Sequence, residues 1–228
     1  MMRVITNEKL IKRNALLSKA ISVVGLLVLI SGLVVSFIRP EWSILPFYTL
    51  ITGFLMSNMG MYLNNRYVRE PRPDVAISNS MKGLDDRYRV YHYILPASHT
   101  LVGPPGVYAI VTRFQGGSIS WNQKRKRFAH RGTSIFRRMF AQESLGNPIG
   151  EAGVEARRLA KHLEKQFGDQ APPVFPLIVL TNPKIEIGDL KNVPVPVLKI
   201  KRLNPYLRKR PKGTTLSEQQ LQALEKDE

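Results

Sequence analysis

The sequence predicts a mixed α/β fold, with a sheet flanked by helices, preceded by a transmembrane helical hairpin. Two observations lead to this fold class. Two long uncharged runs occupy the first third of the chain, and short β-rich segments around one strongly amphipathic helix occupy the rest. The chain has 228 residues, a length that corresponds to one or two domains.

The membrane hairpin is predicted from the two uncharged runs, residues 20–38 and 42–65. About 20 apolar residues are enough to cross a bilayer core, so each run predicts one transmembrane helix. Only Arg39, Pro40 and Glu41 separate the runs, and so short a connector requires the helices to turn back on each other. Small residues would let the helices approach closely, and the runs contain Gly25, Gly32, Gly53 and Gly60. A buried hairpin of a soluble protein is the alternative interpretation.

Basic residues flank both ends of this hairpin. The segment 1–19 carries five basic residues against Glu8, whereas the connector carries only Arg39. The exit of the second run is also basic, with Arg66, Arg69 and Arg72. Because basic flanks favour the cytoplasm, we expect an integral membrane protein with both termini and the main domain on the cytoplasmic face.

The remaining boundaries follow from composition. Pro71 and Pro73 indicate a stiff linker before the main domain. A cleaved signal peptide is disfavoured, because the first run lacks a small-x-small cleavage site and a second run follows it. The predicted organisation is a basic N-terminal segment (1–19), two transmembrane helices (20–38 and 42–65), a linker (66–80), a cytoplasmic domain (81–210) and a polar C-terminal tail (211–228).

The first half of the main domain predicts an antiparallel meander. Residues 89–94 alternate in the manner of a half-buried strand. Two β-rich segments, 100–102 and 107–114, are joined by the turn sequence Gly-Pro-Pro-Gly at 103–106, which indicates a hairpin. A further strand is expected at 118–121. A helix is expected before the meander, near 81–87.

The second half predicts one long helix followed by two strands. Asn147 and Pro148 supply a cap residue and a first-turn proline, and Gly168 ends the helix. The apolar residues recur every three or four positions, and the residues lying off this stripe include Glu151 and Glu155. Their spacing predicts a helix with one buried face.

Shorter elements are expected towards the C-terminus. The apolar run 174–180 indicates a buried strand, and prolines within 193–200 indicate an edge strand. A short helix is expected at 203–207. Ser217 and Gln220 have the spacing of a capping box before a polar helix.

The sequence around the predicted hairpin resembles a known family. Residues 97–113, Ala-Ser-His-Thr-Leu-Val-Gly-Pro-Pro-Gly-Val-Tyr-Ala-Ile-Val-Thr-Arg, and 115–119, Gln-Gly-Gly-Ser-Ile, are similar to the centre of the nuclease-related domain (NERD) family. That family is a branch of the PD-(D/E)xK nuclease superfamily. The resemblance spans about 82–207, and it implies a restriction-endonuclease-like fold and an ancestral metal-dependent nuclease activity.

The motif departs from that family at its catalytic positions. The resemblance places Ser98 at the metal-binding Asp, Val111 at the Glu and Arg113 at the Lys of the motif. Magnesium requires oxygen ligands and normally a carboxylate, so the two primary anionic ligands are absent. Arginine keeps the positive charge but does not act as a base. We therefore expect a pseudoenzyme with no catalytic residue, no metal and no cofactor, although Asp85 and Asp86 leave a rearranged metal site as an alternative.

Other catalytic chemistry has little support in the composition. The absence of cysteine excludes a disulfide framework, a thiolate metal site and a cysteine nucleophile. The histidines show no metal-ligand spacing and are expected to be structural or on the surface; they are His92, His99, His130 and His162. Ser98 and His99 are adjacent on a predicted strand, so their side chains should face opposite sides and not form a nucleophile–base pair.

The charge of the chain is its other functional signal. Its formal net charge is +17, from 34 basic and 17 acidic residues, which favours polyanionic partners. Two stretches, 87–142 and 190–217, contain no acidic residue. The aromatic residues Trp121, Phe128, Phe136 and Phe140 lie among the basic ones in the first stretch. The candidate binding residues are Lys124, Arg125, Lys126, Arg127, Arg131, Arg137, Arg138, Arg208, Lys209 and Arg210.

Two interpretations of this basic surface stay open at the sequence level. Anionic lipids of the inner leaflet attract each nearby basic side chain by about 1 kcal/mol. Nucleic acid would be bound through its phosphate backbone. We expect a non-catalytic binding or scaffolding module at the membrane surface, with a membrane-tethered nucleic-acid-binding protein as the alternative; the sequence names no protein partner.

Overall fold

The computed structural model describes residues 2–42, 44–132 and 145–226. The chain divides into two compact units. The helical unit consists of Glu8–Arg72, and the globular unit consists of residues 2–7 and the described residues from Pro73 onward. The mixed α/β class and the pair of long apolar N-terminal helices are confirmed, but the helices interrupt the globular unit rather than precede it, since residues 2–7 belong to that unit.

The helical unit is built from α1 (Glu8–Ile38) and α2 (Ile44–Tyr67). Both helices are long and apolar enough to span a membrane, with mean hydropathies of 2.7 and 1.2 over their most apolar windows. Only 11% of either window is buried, and large apolar side chains such as Phe37 are up to 79% exposed. A helix hidden in a soluble core would bury these side chains, so the exposure favours the membrane interpretation.

Close packing of α1 and α2 depends on the predicted glycines. A β-carbon at Gly53 would lie 2.5 Å from the Leu29 Cγ, and one at Gly60 would lie 2.4 Å from the Ser22 Oγ. Both distances are shorter than ordinary contacts, so a larger residue at either position would force the facing side chain on α1 to move. The close approach also lets the Ser18 hydroxyl donate to the Gly60 carbonyl over 3.0 Å.

The main sheet of the globular unit has the strand order β1-β2-β3-β4-β7-β9. Its strands are β1 (Arg3–Thr6), β2 (Arg89–His92), β3 (His99–Gly103), β4 (Gly106–Arg113), β7 (Val174–Leu180) and β9 (Val197–Lys199). The meander β2-β3-β4 is antiparallel, whereas β1 is parallel to β2 and β7 is parallel to both β4 and β9. A parallel neighbour needs a crossover, and α4 (Pro148–Phe167) supplies it between β4 and β7.

Helices cover both faces of the main sheet. Successive side chains along its strands point alternately into two buried clusters, one on each face. On β4, Tyr108 and Ile110 belong to a cluster with α3 (Pro73–Ser80) and α5 (Leu203–Lys209). The intervening Val107 and Ala109 pack with α4 and with α6 (Glu218–Lys226). A side-chain period of two thus places helices on opposite sides.

A second, three-stranded sheet has the order β6-β5-β8. It is formed by β5 (Ser118–Asn122), β6 (Arg127–Arg131) and β8 (Glu186–Ile187). The strand predicted at 118–121 therefore exists but does not extend the meander. Gly117, with a φ of +87°, lies between β4 and this separate sheet, and such a conformation strongly favours glycine.

Three segments differ from their sequence-based description. The helix predicted near 81–87 is wrong, because those residues form turns. The helix before the meander is α3, which occupies part of the predicted linker 66–80. The segment 1–19 contains β1 and the first turns of α1. Strand β1 is short and its partner is far away in sequence, so no local pattern indicated it.

The predicted polar tail (211–228) is also part of the core. Helix α6 buries Leu221 and Leu224 with Leu216 against the main sheet. The capping box is confirmed by two hydrogen bonds. The Gln220 backbone N–H donates to the Ser217 hydroxyl over 3.3 Å, and the Ser217 backbone N–H donates to the Gln220 side-chain oxygen over 2.9 Å. Most residues of α6 are polar, but its one narrow apolar face is the buried one.

Candidate functional site

The three positions named by the motif resemblance lie around one turn of α4. Ser98 immediately precedes β3, and Val111 and Arg113 lie in the second half of β4. Two of them contact carboxylates of α4, Glu151 and Glu155, and the third belongs to the buried cluster that includes Ala152. In the sequence, only the motif resemblance connects these three residues. In the fold, all three lie beside the same part of α4.

Ser98 is held by the carboxylate of Glu155. The Ser98 hydroxyl donates to one carboxylate oxygen over 2.6 Å, and the Ser98 backbone amide donates to the other over 3.0 Å. Glu155 is only 9% exposed. A buried carboxylate is stabilised when both of its oxygens accept hydrogen bonds, so this pair ties the start of β3 to α4.

Arg113 is held by several acceptors at once. Its guanidinium forms an ion pair with Glu151, donates from Nε to the Leu145 carbonyl over 3.0 Å, and donates from Nη1 to the Thr112 carbonyl over 2.9 Å. The Arg113 guanidinium, which stands where the resemblance places the motif lysine, is therefore engaged in hydrogen bonds and an ion pair within the fold.

Val111 contributes an apolar side chain at the position of the motif glutamate. It is 2% exposed and packs in a cluster with Ile119 and Ile178. The Val111 side chain itself offers no oxygen to a hard cation. Among the described residues, no group of three or more His, Asp or Glu side chains is arranged to hold a metal ion.

The acids named from the sequence lie elsewhere. Asp85 is exposed in the turn before β2 and pairs with Arg87, which lowers the pKa of its carboxyl group mainly through the side-chain hydrogen bond. Asp86 is exposed in the same turn. The acids that do reach the motif positions are Glu151 and Glu155, which the sequence placed off the apolar stripe. Their spacing of four residues on one helix was the signal available, since it puts them on neighbouring turns.

Two of the histidines form a buried hydrogen-bonded row with Ser78. The Ser78 Oγ lies 2.8 Å from the His92 Nε2, and the His92 Nδ1 lies 2.9 Å from the His99 Nδ1. Both rings are at most 2% exposed. One proton must lie between the two Nδ1 atoms, so only one of those nitrogens is the donor. Ser98 faces α4 while His99 faces His92, in agreement with the expected alternation.

The basic candidates form two separate groups within the described residues. The first is the turn of the β5–β6 hairpin and its flanks, where the exposed residues are Lys124, Arg125, Lys126, Arg127 and Arg131. The second is the end of α5, with exposed Arg208, Lys209 and Arg210. Arg137 and Arg138, together with Phe136 and Phe140, lie outside the described residues.

The hairpin turn, which we call the basic turn (residues 123–127), has an aromatic base. Trp121 and Phe128 face each other across β5 and β6, with ring centroids 5.3 Å apart. The Asn122 side chain accepts from the Arg125 amide over 2.9 Å and so shapes the turn. Four exposed cations therefore project from a compact, internally bonded tip.

The basic residues at the end of α5 are partly used within the fold. The Arg208 guanidinium donates to the Asn204 side chain over 2.8 Å and to the Gly83 carbonyl over 2.6 Å. The Arg210 guanidinium stacks 4.7 Å from the centroid of the Tyr206 ring. These contacts fix the two guanidinium groups while leaving both side chains at the surface.

Comparisons with protein-family models, with curated proteins and with solved structures found no match to this chain. The resemblance to the NERD family consequently stays a prediction from the residues at 97–119.

Proposed function

We propose that the chain is an integral membrane protein whose globular unit is a NERD-like, non-catalytic binding or scaffolding module on the cytoplasmic face. Its ligands are the anionic headgroups of the inner leaflet. The observation that carries the proposal is the basic turn, a compact tip with four exposed cations in a chain with two apolar helices long enough to span a membrane.

Strand pairing supports a two-helix anchor. Because β1 pairs with β2, residues 3–6 and 89–92 must lie on the same side of any membrane. The intervening segment then crosses an even number of times, which suits α1 and α2 as two crossings and excludes a single crossing. The basic residues in the first turns of α1 and around the end of α2 favour the cytoplasm for that side.

The contacts at the motif positions support a non-catalytic role. A mixed sheet with helices on both faces is compatible with the restriction-endonuclease-like fold that the resemblance implies. At its motif positions, Val111 is packed in apolar surroundings and Arg113 is bonded to protein oxygens. A ligand set without its two motif carboxylates would bind Mg²⁺ poorly.

The membrane-surface proposal is tested by binding to vesicles. The full chain in nanodiscs of zwitterionic lipid is mixed with vesicles that contain phosphatidylserine. Replacing Lys124, Arg125 and Lys126 together by Gln should weaken binding by about 100-fold, because each basic side chain contributes about 1 kcal/mol near an anionic surface.

The matched control removes the same charge elsewhere. Arg158, Lys161 and Lys165 are exposed on α4, and their triple replacement by Gln should change vesicle binding by less than about tenfold. Equal losses in the two triple variants would contradict a role for the basic turn, as would vesicle binding that does not depend on phosphatidylserine.

Nucleic-acid binding is the second candidate, and the aromatic base of the basic turn favours it. Trp121 and Phe128 lie beside the cations, and single-stranded nucleic acid is commonly bound by aromatic stacking next to positive charge. Binding of DNA that weakens linearly with the logarithm of salt concentration would support it. No DNA binding at low salt would exclude it.

An active nuclease with a rearranged site is the third candidate. It predicts metal-dependent DNA cleavage by the full chain that is lost on replacing Asp85 and Asp86 by Asn. That result would overturn the non-catalytic proposal. Cleavage lost instead on replacing Glu151 and Glu155 would overturn it equally, and would place the metal at the α4 carboxylates.

A further inference from the structure

A cavity opens at the opposite end of β4 from the motif positions. Its volume is about 440 Å³, within the roughly 300–1,000 Å³ of small-molecule sites. Tyr108, near the start of β4, contributes to its wall, whereas Arg113 ends that strand. The start of β7, the segment before β9, α5 and the segment after α5 also contribute to the wall, so the cavity lies within the globular unit and is separate from the Ser98 region.

Three aromatic rings line this cavity: Tyr108, Phe175 and Tyr206. Tyr108 and Phe175 are register partners on β4 and β7, with ring centroids 5.7 Å apart and planes inclined by 41°. Phe175 is 44% exposed although it lies within a central strand pair. An aromatic side chain that stays exposed in this way is suited to stacking against a flat ring.

Prolines make the cavity wall stiff. Six of them contribute to the lining: Pro105, Pro173, Pro176, Pro194, Pro196 and Pro211. A proline has a fixed φ, so its backbone loses little freedom when a ligand binds. A wall that is already ordered lowers the entropic cost of binding.

The charge of the cavity is positive. Arg210 and Lys212 both line it, and the described lining residues include no carboxylate. The Arg210 guanidinium is fixed by stacking on Tyr206 and by donating to its hydroxyl. Two cations beside an aromatic wall suit a ligand with a ring and a group of about two negative charges, and a phosphate carries about −1.5 to −2 at pH 7.

We propose that this cavity binds a mononucleotide, with its base stacked on Phe175 and its phosphate bound by Arg210 and Lys212. The volume of the cavity fits a ligand of this size, the exposed Phe175 fits the base, and the two cations fit the phosphate. The site goes beyond the proposed membrane-surface function, since it does not involve the basic turn.

The test measures binding by calorimetry, with the full chain in nanodiscs of zwitterionic lipid. The probes are AMP, GMP, CMP and UMP, with adenosine and ribose 5-phosphate as half-ligands. At least one mononucleotide should bind, and the half-ligands should bind at least about tenfold more weakly. Failure of all four nucleotides to bind would overturn the proposal. Equal binding of ribose 5-phosphate would overturn the stacking role and leave only a general anion effect.

Variants then locate the binding site. Phe175→Ala and Arg210→Gln should each weaken nucleotide binding by about tenfold or more, through lost stacking and a lost charged hydrogen bond respectively. The matched controls Val154→Ala and Arg158→Gln, at exposed positions of α4, should leave binding unchanged.

The proposal can still be tested if one of these variants does not fold. Arg210 and Lys212 are exposed, so Arg210→Gln and Lys212→Gln are expected to fold, which an unchanged thermal transition would verify. Nucleotide binding that survives both changes would place the ligand elsewhere and overturn the proposal. Triple replacement in the basic turn should leave nucleotide binding intact even where vesicle binding is lost.

Discussion

Glu155 connects α4 to the start of β3 through both oxygens of its carboxylate. It accepts from the hydroxyl and the backbone amide of Ser98. The cost of burying a carboxylate is offset because two donors replace its water shell. At the residue scale, this one side chain positions the segment on which the motif resemblance rests.

Glu155→Ala is expected to lower the free energy of unfolding by about 1–3 kcal/mol, because the partly buried Ser98 amide and hydroxyl lose this acceptor. Glu155→Gln should give an intermediate loss, since its amide oxygen still accepts from the Ser98 amide. Chemical unfolding of the full chain in detergent micelles measures both. The exposed Glu164→Ala on the same helix should stay within about 0.5 kcal/mol of the parent, and an equal loss there would contradict the assignment.

Tyr91 gives the globular unit an alkaline sensitivity. Burial, followed by the nearby Glu225 carboxylate, raises the pKa of its hydroxyl from 10.0 to about 12. Because the folded state favours the neutral phenol, this stabilising contribution is complete below pH 10 and is lost as the pH rises through 12.

The predicted pH dependence is measured against Tyr91→Phe, which cannot ionise. Between pH 10 and 12 the free energy of unfolding of the parent chain should fall by about 1–3 kcal/mol more than that of the variant. Parallel pH profiles of the two proteins would show that the Tyr91 hydroxyl ionises equally easily in the folded and unfolded states.

At the scale of elements, α6 is attached to the main sheet by one arginine as well as by its leucines. The guanidinium of Arg89, whose side chain is 8% exposed on β2, pairs with both Glu218 and Glu225. These carboxylates lie near the two ends of α6. The charges therefore fix the register of the helix, while Leu221 and Leu224 supply its apolar contact.

Arg89→Ala should destabilise the chain by about 1–3 kcal/mol, since the loss falls mainly on the half-buried Glu225 rather than on the exposed Glu218. Hydrogen exchange of the amides of α6 should accelerate in parallel. Arg3→Ala is the control, because Arg3 pairs with the same Glu225 over 3.4 Å from an exposed position. That change should cost less than about 1 kcal/mol; equal effects would contradict the role of Arg89.

At the scale of the whole molecule, a hairpin of two apolar helices is inserted within the sequence of an α/β unit. Strand β1 precedes α1, yet it pairs with β2, which follows α2. The hairpin therefore leaves the globular unit and returns to it. Folding of the sheet requires both ends of the hairpin to emerge on the same side of a membrane.

The topology can be tested with engineered cysteines, because the chain contains none. Glu41→Cys in the connector should react with an impermeant maleimide from the outside only. Lys124→Cys and Gln222→Cys should react only once the cytoplasmic face is opened. Labelling of all three from the same side would contradict the two-span orientation, and labelling of Lys124→Cys from outside would reverse it.

Several elements were predictable because their signal is local. The helix from Pro148 to Phe167 has a capping Asn147, whose side chain accepts from the Gly150 amide over 3.0 Å, and a continuous apolar stripe. The hairpin of β3 and β4 is defined by Gly103 and Gly106. Turn chemistry and periodicity need only neighbouring residues, so the sequence displays them directly.

The candidate site was only partly predictable, for a different reason. The sequence indicated Ser98, Val111 and Arg113 but not their partners Glu151 and Glu155, because a helical spacing does not say which strand the helix will cross. The cavity proposed for a mononucleotide had no sequence signal, since its walls come from β4, β7, α5 and the segments before β9 and after α5. Such sites depend on long-range packing.

The sequence by itself determined the two apolar helices, the α/β class, the main turns and the basic surface, because each depends on composition or on short-range periodicity. Only the tertiary structure decided that β1 joins the sheet, that α6 belongs to the core, and that α4 carboxylates hold Ser98 and Arg113. The physical reason is common to all three. Strand pairing, burial and ion pairing between distant residues gain their free energy only when the chain brings those residues together.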